Sequence, residues 1–193
     1  NKKIKSALSV AEANVALGKL AAAQRTAAIA ELIPFLPATL SGSDLRALLQ
    51  FTDGNERFNA IYALARNKRI KSGLTPAEAN QAFGDLAESQ RTAAIGELLP
   101  FLTSNLAGKD LQGLLQTTQD SDRFNAIYAL ARNKKIKNGV SAAEAELILD
   151  GTRASARSSS IGELASTMQP NLRGNELAKV LGPTENQERV NAL

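Results

Sequence analysis

The chain has 193 residues, of which 44% are hydrophobic but only 4% aromatic, and carries a net charge of +4 with a pI near 9.5. It contains no Cys, His or Trp, which excludes thiolate nucleophiles, imidazole bases, disulfide frameworks and the usual zinc ligand sets. Its Ala, Leu and Ile content favours closely packed helices over a sandwich or barrel, and no apolar run approaches the roughly 20 residues that cross a bilayer.

The opening string, Asn1-Lys2-Lys3-Ile4-Lys5, leads into an amphipathic segment rather than a signal sequence. It returns at Asn67 and Asn133, a period of 66, and the first two copies agree at 43 of 66 positions. The expected organisation is one helical-repeat domain, 1–193, made of copies 1–66, 67–132 and 133–193. The last copy is incomplete: it stops where counterparts of Tyr128 to Arg132 would follow, so either the array continues in a longer parent or this copy is a cap.

Within the copies a finer repeat starts at Leu8, Leu40, Leu74, Leu106, Val140 and Leu172. Each start leads into a short helix. Ser9-x-x-Glu12, Ser41-x-x-Asp44, Thr75-x-x-Glu78 and Ser141-x-x-Glu144 have capping-box spacing, and Pro76 suits a first helical position. Turn-rich strings such as Thr52-Asp53-Gly54-Asn55 and Thr117-Thr118-Gln119-Asp120 then precede a longer helix. Its apolar stripe is Ile29, Ile61, Ile95, Ile127, Ile161 and Leu193, with Leu three residues later where the chain extends that far. Pro34 and Pro100 are expected to kink or end this helix in alternate repeats. Two-helix repeats of about 33 residues stacked in this way predict an all-α fold, an α-solenoid with a right-handed superhelix.

Every repeat carries an acidic residue, Glu12, Asp44, Glu78, Asp110, Glu144 or Glu176, and thirteen positions later an arginine, Arg25, Arg57, Arg91, Arg123, Arg157 or Arg189. The carboxylates suit helix N-termini. An arginine near a helix N-terminus is electrostatically unfavourable unless it has a dedicated partner, and the acidic residue of the same or the adjacent repeat is the expected one. Residues repeated equally in all repeats point to a structural ladder, since catalysis by two carboxylates needs one special pair. No enzyme and no cofactor or metal is expected.

Positions where the first two copies differ point instead to a recognition surface on the first helices and their turns: Val15 against Gln81, Lys19 against Asp85, Arg46 against Gln112, Phe51 against Thr117, and Lys109 against Ser43. A second surface is basic. Lys2, Lys3 and Lys5, then Lys68, Arg69 and Lys71, then Lys134, Lys135 and Lys137 recur once per copy, and in a solenoid would line one edge able to meet phosphates or anionic polysaccharide. Their structural reading is complementation of helix C-terminal dipoles.

The stretch LTPAEANQAFGDLAESQRTAAIGELLPFL, from Leu74 to Leu102, resembles a TAL-effector repeat in its length, its LTP opening and the placing of Leu98-Leu99-Pro100. The resemblance implies a helix-turn-helix solenoid tracking the DNA major groove. The chain departs from that pattern at the base-reading turn, where Asp85-Leu86-Ala87-Glu88 stands in place of a glycine pair, and Asp53-Gly54-Asn55-Glu56 and Gln119-Asp120-Ser121-Asp122 place acids where phosphate would lie. No base-reading residue carries over. The expected function is therefore binding or scaffolding of a protein or peptide partner, or self-association, without membrane insertion. The alternative is binding of nucleic acid or another polyanion along the basic edge.

Overall fold

The computed structural model describes residues 7–193 and shows twelve α-helices and no strand among them. By packing, the chain divides into two compact units, one ending at Leu102 and the other spanning Thr103–Leu193, so the division falls inside the second copy. The first unit holds α1 (Val10–Leu17), α2 (Ala22–Leu32), α3 (Gly42–Leu49), α4 (Gly54–Arg66), α5 (Pro76–Phe83) and α6 (Glu88–Leu98). The second holds α7 (Gly108–Leu114), α8 (Asp120–Arg132), α9 (Ala142–Leu149), α10 (Ala154–Leu164), α11 (Gly174–Leu181) and α12 (Asn186–Ala192).

In each unit helices stack on the second helix along the chain, not only on the next. α1, α3 and α5 form one layer and α2, α4 and α6 another; α7, α9 and α11 pack in the same way, as do α8, α10 and α12. This is the all-α solenoid arrangement, with first helices in one layer and second helices in the other.

The first helices have only seven or eight residues, too few to be stable in isolation. Caps and packing hold them. Ser9, Ser41, Thr75 and Ser141 each accept from the third helical N–H, while Glu12, Asp44, Glu78 and Glu144 accept from the cap's own N–H. Asp110 forms no such box because Ala107 replaces the hydroxyl. Glu176 accepts from the Arg173 N–H at 2.8 Å.

Each of the first five repeats closes on itself. Isolated parallel bridges join Leu40 to Ile70, Leu74 to Leu102, Leu106 to Ile136 and Val140 to Met168, and the Leu8 N–H donates to the Phe35 carbonyl at 2.8 Å. The second helices run 11 residues in odd repeats against 13 in the complete even ones. Proline alone does not set that length: α10 ends at the position equivalent to the ends of α2 and α6, yet Ala165-Ser166-Thr167 follows it. Of the expected apolar stripe, Ile29, Ile61, Ile95, Ile127 and Ile161 are buried with Leu64, Leu98, Leu130 and Leu164, whereas Leu32 is half-buried and Leu193 is exposed.

Two first-helix contacts are built on glycine. A Cβ on Gly42 would lie 2.3 Å from Cβ of Glu78, and one on Gly108 would lie 2.8 Å from Cγ of Glu144. Both glycines begin the first helix of an even repeat and abut the capping carboxylate of the following odd one.

Candidate binding surface

The recurring arginine is the fourth residue of each second helix, and in the first, second, fourth and fifth repeats its guanidinium reaches carbonyl oxygens of the first-helix layer. Arg25 and Arg91 are fully buried, and Arg57, Arg123 and Arg157 nearly so. Their main partners are not the capping carboxylates expected from the spacing but carbonyl oxygens at the C-termini of first helices. Arg25 Nε donates to Leu48 O at 3.0 Å, Arg57 Nη1 to Ala82 O at 3.3 Å, Arg123 Nε to Ile148 O at 2.8 Å and Arg157 Nε to Val180 O at 2.8 Å, each in the next repeat. Arg123 and Arg157 make a second bond to the next repeat, at Leu147 O and Lys179 O, while other donors return to the same repeat: Arg57 to Thr52 O, Arg123 to Leu115 O and Thr118 O, Arg157 to Leu149 O. Arg25 and Arg91 also donate to the side-chain oxygens of Asn14 and Asn80. Arg189, in the last repeat, is exposed and donates to Gly182 O.

The physics is that of helix dipoles. The last carbonyls of a helix lack intrahelical donors and carry partial negative charge, so a guanidinium with five N–H groups ties two such ends together by charge-assisted bonds. Burial pulls the pKa of Arg91 down to about 10 and lowers those of Arg25, Arg57, Arg123 and Arg157; at Arg57 the charges of Asp85 and Asp53 oppose this, and at Arg123 that of Asp150. At Arg157 the charges of Glu146, on α9, and Asp150 oppose it too, so none of the acids that act on the ladder is a capping carboxylate. The hydroxyls of Thr52 and Thr118 add to it by donating to Leu49 O and Leu115 O; their sequence signal is a threonine five residues before an arginine.

Above this ladder lie shallow grooves between successive first helices. The groove between α3 and α5, about 500 Å³, is walled by Ser43, Arg46, Ala47, Gln50, Gln81 and Gly84 over Arg57. The groove between α7 and α9, about 320 Å³, is walled by Lys109, Gln112, Gly113, Gln116 and Asp150 over Arg123. A third, between α9 and α11, is lined by Glu146, Leu147, Asp150, Lys179 and Pro183 over Arg157. The eight candidate recognition residues all lie in the first helices or the turns that follow them. Arg46 and Gln81 meet in one groove, and Lys109 and Gln112 in another. Val15 (82% exposed) and Phe51 (57%) are apolar yet open to solvent, Phe51 lying over the guanidinium of Arg25. Lys19 is exposed, as is Asp85, which lies 3.9 Å from Arg57 Nε.

Gly84 shows how tightly a groove floor is built. Its φ of +54° favours glycine, and a Cβ there would lie 2.6 Å from Arg57 Nη1, so a larger residue would displace that guanidinium.

Along the basic edge, Lys2, Lys3 and Lys5 lie outside the described residues. Lys71 and Lys137 are engaged with Glu78 and Glu144 at 2.7 Å, and Arg69 donates to Leu36 O at 3.0 Å. Lys135 is half-buried and its carbonyl accepts from Leu106 N–H. Lys68 and Lys134 are exposed, both at φ +53°. The neighbouring Arg66 and Arg132 pair with Glu97 and Glu163 and lie over Tyr62 and Tyr128. The structure therefore splits the basic strings into mostly engaged side chains and a few outward cations.

Among the described residues no cluster of carboxylates is arranged to hold a metal ion, and no helix is long and apolar enough to cross a membrane. The chain matches no known protein family, no curated protein and no solved structure.

Proposed function

We propose that the chain is a non-enzymatic binding module that takes an extended polypeptide across its first-helix layer. One observation carries the reading: the same arginine–carbonyl scaffold recurs beneath grooves whose walls differ in charge, size and polarity. An unvarying floor with varied walls is how a repeat protein tunes specificity without disturbing its core. Packed helices lie about 8–10 Å apart, roughly three residues of extended chain, so an extended segment can pass from one groove to the next within a unit.

The test uses a random peptide library displayed on phage. Peptides selected on the chain should bind with a saturable fluorescence-anisotropy signal. A Lys19→Asp, Arg46→Gln, Phe51→Thr variant, each residue replaced by its second-copy counterpart, should keep its helical circular dichroism but lose at least about tenfold in affinity, the scale of one lost charged or aromatic anchor. Undiminished binding would remove this face from the assignment. A second copy of the chain is an alternative occupant, and sedimentation velocity separates that case.

A second reading, binding of nucleic acid or another polyanion, draws on Lys68 and Lys134. Both are exposed lysines held in the left-handed region, where glycine or asparagine would be less strained. The TAL-effector resemblance gives that reading its specific form, a DNA duplex. Against it stand Asp53, Asp85, Asp120 and Asp150 in or beside the turns that would approach phosphate.

A further inference from the structure

Resting on the polypeptide-binding reading, we propose that the α3–α5 groove of the first unit and the α7–α9 groove of the second, each taken by itself, receive an acidic side chain of a polypeptide partner, with Gln50 or Gln116 holding the backbone of the segment bound there. The first support is charge. The rim carboxylates already act on the floor: Asp85 lies 3.9 Å from Arg57 Nε, and Asp150 acts on the guanidinium groups of Arg123 and Arg157. The exposed cations of the two grooves, Arg46 and Lys109, make no ion pair with the described residues. The floor arginines cannot serve a ligand, because Arg57 and Arg123 direct their donors to carbonyl oxygens.

The second support is a compensated exchange. Ser43 and Arg46 in the first even repeat correspond to Lys109 and Gln112 in the second. Each pair sits three residues apart on one helix face, so each groove keeps one exposed cation although its position moves by a turn. The α9–α11 groove instead opposes Glu146 and Asp150 to Lys179 and is expected to take no acid.

The third support is a residue that stays the same without a structural task. Gln50 and Gln116 occupy equivalent positions at the ends of α3 and α7, both are exposed, both line their grooves, and neither makes a side-chain hydrogen bond within the described chain. A carboxamide offers a donor and an acceptor side by side, the complement of a peptide unit. A row of phosphates would meet Asp85 and Asp150 at the rims; an extended peptide with isolated carboxylates need not.

The experiment compares two fluorescein-labelled probes, an alternating Gly-Glu decapeptide and its isosteric Gly-Gln counterpart, by anisotropy at physiological salt. The Glu probe should bind about tenfold more tightly, the scale of one charge-assisted hydrogen bond. An Arg46→Gln/Lys109→Ser variant, using residues that the other copy already tolerates, should erase that preference. Gln50→Ala/Gln116→Ala should weaken both probes. Lys68→Gln/Lys134→Gln should change neither. Equal affinity of wild type for the two probes would overturn the inference while leaving polypeptide binding on this face intact. A loss in the Lys68/Lys134 variant equal to that in the groove variant would overturn it in favour of the basic edge. Absence of library-selected peptides, by contrast, would remove the parent reading.

Discussion

At Arg123 four hydrogen bonds converge from one guanidinium on carbonyls of Leu115, Thr118, Leu147 and Ile148. Removing the donor leaves helix ends buried without partners, and a charged donor cannot be replaced by shape alone. Arg123→Met should lower stability by about 3–5 kcal/mol, the cost of orphaning several buried polar groups, read by urea unfolding with an unchanged m-value. A loss within about 0.5 kcal/mol, the range of ordinary surface substitutions, would mean that water serves those carbonyls as well. The sequence shows that an arginine recurs but not whom it meets. Its partners are backbone oxygens 22–25 residues away in the next repeat, and a carbonyl leaves no mark in residue identity. That is why the spacing suggested a carboxylate.

The contact of first helix with first helix depends on elements rather than single side chains. Lys71 reaches Glu78, and Lys137 reaches Glu144, so the bridging segment that closes an even repeat is clamped to the cap of the next helix. The lysine partner, chiefly, and the Thr75 or Ser141 N–H hold both carboxyl pKa values at about 2, below the ordinary 4.5. A depressed carboxyl pKa contributes stability above the unfolded value that is lost as pH falls through the folded one. Melting followed by circular dichroism should show wild type above a Lys71→Met/Lys137→Met variant by a Tm gap that is full above pH 4.5 and closes toward pH 2. A gap independent of pH would mean that the lysine stems act by packing alone. The caps themselves are legible in sequence because they are local, three residues from partner to partner. Gly42 and Gly108 are not: only the packed structure reveals the carboxylate side chains that exclude a Cβ there.

On the scale of the molecule, the basic strings of the described residues divide between side chains already engaged, Lys71, Lys137 and Arg69, and the exposed Lys68 and Lys134. With Lys71, Lys137 and Arg69 engaged, neutralising Lys68 and Lys134 to glutamine should reduce the salt needed for elution from heparin about as far as neutralising all six of Lys68, Arg69, Lys71, Lys134, Lys135 and Lys137. A substantial further drop in the six-residue variant would mean that the engaged side chains leave their partners for the polyanion. By itself the sequence determined the helical repeat, its start points, the capped short helices, the buried stripe and the placing of the varied residues on first helices and their turns, because each follows from spacings of a few residues along a helix. Only the tertiary structure decided which charges are spent and which remain. Whether Arg57 faces a carbonyl, Lys71 a carboxylate and Arg46 open solvent depends on how one repeat packs on the next, and that packing joins atoms too far apart in the chain for local pattern to record.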